Sequence, residues 1–192
     1  YYQKTVNLVF NSDSSDSFAS PLYSYMEDSP DFTRYCAYNN YDVHEKSPIY
    51  DWVEISSIGT NLEMTDDSHS DEIPLGFDFQ YYGQTFNSIT ISSNGWVSFI
   101  PADINYFWNF SIPFPIGPSG MIAPFMDDLD DDDSENPPPL DIYHYHDSAN
   151  NIFVVQWDGI HNGEDNQDCA IAGYTCITET FELILYDPAY YL

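Results

Sequence analysis

Basic residues are nearly missing from this chain. Only Lys4, Arg34 and Lys46 stand against 32 Asp and Glu, and the 192 residues carry a formal net charge of −29. Nucleic-acid binding needs Lys and Arg to displace counterions, so that class of partner is excluded. An anionic membrane surface is excluded on the same ground. No apolar run approaches the roughly 18 residues that would span a bilayer, and no segment keeps an amphipathic helical period of useful length. Catalytic signatures are missing as well: there is no HExxH, no GxSxG, no glycine-rich phosphate loop and no paired CxxC. With 32 carboxylates, some pair will always sit at glycosidase spacing, so such pairs carry no information. No catalytic residue is assigned, and the chain reads as a non-enzyme. It has neither an initiator Met nor a secretory leader, which reads as a mature product or a fragment.

Hydrophobic residues make up 43% and aromatics 18%, with 17 Tyr among them. That is too apolar for a disordered chain, and the Tyr, Ile, Val and Phe content favours pleated surfaces. The strongest local signal is Phe86 to Ile100, FNSITISSNGWVSFI. Asn94-Gly95 suits a two-residue type I′ turn, because both central residues need positive φ. That turn pairs Ser93 with Trp96, Ile91 with Ser98 and Ile89 with Ile100. It puts Ile89, Ile91, Trp96 and Ile100 on one apolar face, with Ser88, Thr90, Ser92, Val97 and Phe99 on the other.

Around this hairpin the chain divides at about residue 50. Tyr2 to Phe10 is a β-prone run, followed by a Ser/Asp-rich linker and an irregular acidic arm to residue 49. From residue 50 to 192, strands are expected at Asp51–Ser56, at Phe77–Tyr81, in a hairpin of Asp141–His146 with Asn151–Trp157, and at Ile177–Tyr186. Thr65–Glu72 is an acidic loop, Pro101–Gly120 a proline-rich loop, and Met121–Phe125 a short buried run. Short strands with turn signals between them predict an all-β fold: an antiparallel β-sandwich of jelly-roll or Ig-like type with an irregular N-terminal extension.

The segments FDFQYYGQTFNSITISSNGWVSF, IPFPIGPSGMIAPFMDDLD, IYHYHDSANNIFVVQWDG and ETFELILYDPAYY follow one another in an order that resembles a known module. It is the accessory β-sandwich module of secreted bacterial cell-surface proteins and exported, gingipain-type peptidases. More distantly, it is similar to the NIDO domain of nidogen-like adhesion proteins. The resemblance spans residues 50 to 192. It implies an extracellular or cell-surface setting and no shared catalytic residues. Met126 stands where the module usually has Trp, and the module normally continues with further strands after YDPAYY. This implies completion by another chain or by residues beyond this one. Self-association by strand addition is therefore expected, through Tyr2, Thr5, Val6, Leu8, Val9 and Phe10. The expected partners are copies of the chain or neighbouring domains of a secreted protein.

Crowded carboxylates are the candidate metal ligands, since Ca²⁺ prefers hard oxygens and offsets their repulsion. The leading set is Asp127, Asp128, Asp130, Asp132 and Glu135, within a run that also holds Asp131 and Asp133. A weaker set is Asp158, Asn162, Asp165 and Asp168, with Glu164, and a third is Asp66, Asp67, Asp71 and Glu72. The competing reading is a solvated acidic face. His144 and His146 lie two apart on one strand, a spacing metals use, but an aromatic structural strand is the favoured reading. Cys169 and Cys176 flank AIAGYT and are the favoured disulfide, although Cys36 allows two other pairings and two unrelated thiols remain open. Asn109 opens the sequon Asn109-Phe110-Ser111. A rival function is glycan binding, with Tyr81, Tyr82, Trp108 and Trp157 as stacking rings.

Overall fold

Nine residues from Ile73 alternate buried Ile73, Leu75 and Phe79 with exposed Pro74, Asp78 and Gln80, and this alternation builds the first long strand. The computed structural model describes residues 4–5, 43, 49, 51–101, 120–130, 139–163 and 178–191. Within them the strands are β1 (Lys4–Thr5), β2 (Thr60–Asn61), β3 (Ile73–Tyr81), β4 (Gln84–Ile91) and β5 (Val97–Ser98). They continue with β6 (Met121–Ile122), β7 (Leu129–Asp130), β8 (Ile142–Asp147), β9 (Ile152–Asn162) and β10 (Thr178–Tyr186), and a single helical turn α1 (Pro188–Tyr191) follows.

Two sheets form. One runs β1-β10-β9-β8-β2 with β7 also on β9, and the other runs β3-β4-β5-β6. All pairings are antiparallel except β1 beside β10, where Lys4 is level with Phe181 and Thr5 with Glu182. Leu75, Phe79, Ile89, Ile91, Val97 and Phe99 from one sheet meet Phe153, Val155, Trp157, Phe181, Leu183 and Leu185 from the other in one core. The expected all-β sandwich is the observed fold.

The primed turn falls elsewhere than the sequence suggests. Tyr82 and Gly83 take φ values of 48° and 74° between Tyr81 and Gln84, a two-residue turn with both central φ positive. At the Asn94-Gly95 tip, Gly95 alone has positive φ, 74°. There Ser92 N–H donates to Trp96 O at 2.9 Å, Ile91 pairs with Val97 and Thr90 with Ser98. The connection is therefore three residues long, and the register is one residue off the expected one. Such a slip exchanges faces. Val97 and Phe99 join Ile89 and Ile91 in the core, Trp96 is buried on the opposite face, and Ile100 is 39% exposed.

The cause is Asn94, which is wholly buried. Its Oδ1 accepts from Leu129 N–H at 3.0 Å and its Nδ2 donates to Asp67 Oδ1 at 2.9 Å. A buried amide with partners in two other loops is held by those partners and not by the turn. Gly95 is required beside it, since a Cβ there would lie 1.8 Å from Phe125 O.

Asp51–Ser56 is another correction: it alternates as a strand should but enters no ladder. Val53 and Ile55 donate their N–H groups to the side chains of Glu182 and Gln156. Ile55 is fully buried on the outer face of the larger sheet with Ile152, Val154 and Ile184, a burial that stabilises by about 1.5–3 kcal/mol. This cover explains why β9 is buried at every position from Ile152 to Trp157. Of the expected buried run Met121–Phe125, Ile122 is buried, whereas Phe125 is 37% exposed and tilts its ring onto Phe181 at 5.5 Å. The Asp147–Asn151 turn forms as expected, with Asp147 accepting from Ala149 N–H and Asn150 N–H. The residues after Tyr186 form α1 instead of prolonging the strand.

Replacing Asn94 with Ala removes its bond to the Asp67 carboxylate and its share of the Leu129 N–H, which also donates to Asp127 O, and loss of a hydrogen bond to a charged group costs ~1.5–3 kcal/mol. Urea unfolding of N94A should show a lower midpoint with an unchanged m-value. A midpoint equal to the parent's would refute the role given to this side chain.

Candidate cation centre

Three stretches far apart in sequence meet at the hairpin tip. Residues before β3 continue alongside β4: Ser70 N–H donates to Ile91 O, His69 bridges Ser92, and Ser93 N–H donates to Ser68 O. This run sets Asp66 and Asp67 beside Asn94. From the other side, Leu129 N–H bonds Asn94 and so places Asp127 and Asp128 there. Asp127 Oδ1 accepts from Asp128 N–H at 3.0 Å, and Asp127 Oδ2 accepts from Asn162 Nδ2 at 2.9 Å. Asp128 O accepts from Gly163 N–H at 2.7 Å.

Asp66, Asp67 and Asp128 consequently offer carboxylate oxygens that all lie within 4.8 Å of one another. This is a spread that one calcium-sized ion with oxygen ligands at 2.3–2.6 Å could bridge. Lys and Arg occur in this chain only at positions 4, 34 and 46, so none of the loops involved supplies a cationic side chain. Partial burial, followed by the charges of Asp67, Asp130 and Asp128, pushes the Asp66 carboxyl up to about 6. The site mixes two sets that the sequence reading kept apart: Asp128 from the leading set, Asp66 and Asp67 from the third. No pattern within one segment could reveal this, because Asn94 links the loops across the fold.

Other expected site residues fall differently. Asp130 pairs with His161 in the β7–β9 ladder, and its charge acts on Asp66. Asp132 and Glu135 lie outside the described residues, as do Asp165 and Asp168. Asp158 and Asn162 do not converge: Asn162 serves Asp127, whereas Asp158 Oδ1 accepts from Thr180 Oγ1 and the charge that acts on it most is that of Glu54. Trp157 is wholly buried, stacked on Phe181 at 4.9 Å, with its indole N–H on Ser92 O at 2.9 Å. Its ring is thus withheld from any sugar, which corrects that assignment. Tyr82 is 57% exposed on its turn, edge-on to Tyr81, whose hydroxyl donates to Met121 O. Trp108, Asn109, Cys169 and Cys176 lie outside the described residues, as do Tyr2, Val6, Leu8, Val9 and Phe10. His144 stacks on Phe153 at 5.8 Å with its pKa lowered by burial, and His146 packs on Gly76 and Phe77, so each ring has a packing role.

The family model described as NIDO related matches residues 40–186, most of the chain. The chain belongs to the NIDO-related family. No curated protein and no solved structure matches it. Membership in the NIDO-related family places the sandwich among extracellular, adhesive-type modules, a structural class and not a catalytic one. Among the described residues, no helix is long and apolar enough to cross a membrane.

The Asp66 shift carries a pH signature. Its folded-state pKa lies above the ordinary 3.8, so folding favours the protonated form. The associated stability is complete below about 3.8 and is lost as pH rises through about 6. In cation-free buffer, thermal midpoints should therefore decline across that window. Asp66→Asn should flatten the decline, and an equally steep D66N profile would rule out this assignment.

Proposed function

We propose that this NIDO-related chain is a non-catalytic adhesive module of a secreted or cell-surface assembly, which associates with copies of itself or with neighbouring domains by strand addition. The observation that carries this reading is the edge of β10. The two residues of β1, at the N-terminal end of the chain, are the neighbours the described structure gives that edge. Among the described residues that edge has no other neighbour, and a sheet edge is where an added strand pairs. The same N-terminal run, donated by a neighbouring copy, would satisfy the edge in trans. The gingipain-type resemblance fits a module of this kind within a larger exported protein.

In this reading, Ca²⁺ at Asp66, Asp67 and Asp128 offsets the repulsion of the hairpin-tip acids and stiffens the module. Of the four rings named for the second reading, glycan binding, Tyr81 and Tyr82 remain in the described structure, since Trp157 is buried and Trp108 lies outside the described residues.

Electron microscopy and light scattering of the full chain should show polymers that disappear when residues 1–12 are deleted. Undiminished polymers in the truncated chain would refute strand exchange. Millimolar Ca²⁺ should raise the thermal midpoint by several degrees, a chelator should reverse this, and Asp128→Asn should blunt it. A glycan array that is positive for the chain and negative for Tyr82→Ala would favour the second reading instead.

A further inference from the structure

Residues 51–56 cross the outer face of the larger sheet held by side chains, not by strand backbone. Val53 N–H donates to both carboxyl oxygens of Glu182 at 3.3 Å, and Ile55 N–H donates to Gln156 Oε1 at 3.0 Å. Glu182 and Gln156 are register partners on β10 and β9, and both are buried. Beneath the segment, Ile55 packs with Ile152, Val154 and Ile184, and Val53, Tyr143, Tyr145 and Tyr186 close around them.

The groups facing Glu182 do not include a described cationic side chain. From the crossing segment come Asp51 and Glu54, both acids. Glu54 is held ionised down to about 2 by hydrogen bonds from Ser56. From β9 comes the neutral Gln156, and on β10 itself Tyr186 is a phenol whose ionisation burial pushes up. From β8, Tyr143 lies in the same apolar cluster. β1 sets Thr5 level with Glu182, with Lys4 one position away at the level of Phe181.

We propose that residues 51–56 form a proton-gated strap, closed on the sheet while Glu182 keeps its proton and released when Glu182 ionises, which uncovers the Ile152–Val154–Ile184 face. Closure buries the carboxyl against two acids, whereas opening returns it to water. Burial is the larger cause and the charges of Glu54 and Asp51 add to it. Together they outweigh the Val53 N–H, which favours the charged form, and raise the carboxyl from 4.5 to about 7. Closure therefore has its full strength below about 4.5 and weakens as pH rises to about 7, beyond which it levels off. That gap corresponds to a weakening of about 30- to 300-fold.

Hydrogen exchange on the full chain tests the strap, read at the Val53 and Ile55 amides between about pH 4 and 9 after correction for intrinsic exchange. Their protection should fall by about 30- to 300-fold as pH rises from about 4.5 to about 7 and then level off, while the Val155 and Leu183 amides in the core hold theirs. Glu182→Gln, which keeps the shape and cannot ionise, should make the strap's protection independent of pH. Should E182Q fail to fold, the double variant Asp51→Asn with Glu54→Gln removes the facing charges and should move the midpoint to lower pH. The proposal is overturned by a flat parent profile, by the same loss in E182Q, by a loss that the core amides share, or by a midpoint that the double variant leaves in place.

Discussion

The fold depends on satisfying a polar hairpin tip that lies inside the protein. Ser92, Ser93 and Asn94 are all fully buried, and each has partners outside its own hairpin. Trp157 on β9 donates its indole N–H to Ser92 O, so the tip of one sheet is tied to the centre of the other. Ser93 Oγ donates to Ser68 O and accepts from Ser68 N–H, and Asn94 spans from Leu129 to Asp67. Buried polar groups left unpaired are expensive, so this network admits one arrangement of the loops around it. The acidic centre is a by-product of that arrangement. Asn94 needs a carboxylate on one side and an amide from an acidic loop on the other, and the acids follow.

A second demand comes from the outer face of the larger sheet. β9 is apolar on both faces, a pattern expected of a strand covered from both sides. The smaller sheet covers the inner face, and the segment around Ile55 covers part of the outer one. That segment uses Glu182 and Gln156 as substitutes for a neighbouring strand. Anchoring by side chains leaves the cover sensitive to the ionisation of one carboxyl, whereas a backbone ladder would be indifferent to it.

These two features give a module of a structural family its chemistry. An excess of 29 negative charges on a sandwich of the NIDO-related family concentrates repulsion where the hairpin tip gathers acids. Cations and protons are the agents that relieve such repulsion. In this molecule the acids under that pressure lie at separate places, Asp66 with its neighbours at the tip and Glu182 beneath residues 51–56.

The sequence by itself determined the class of fold, because the strand patterns at Phe77–Tyr81 and Ile177–Tyr186 and the Asp147–Asn151 turn are local properties of the chain. Its lack of Lys and Arg also set the expectation that nucleic acid is not a partner, and it supplied the segments that resemble the family. It did not determine the register at Asn94-Gly95, since the dipeptide's local preference for a two-residue turn lost to two hydrogen bonds from distant loops. Nor did it reveal that Asp51–Ser56 would lie outside the ladder, because alternation reports burial and not the identity of the hydrogen-bond partner. The acidic runs were visible as runs. Which of their members share a site was decided by tertiary structure alone, because Asp66, Asp67 and Asp128 become neighbours only when Asn94 is buried between them.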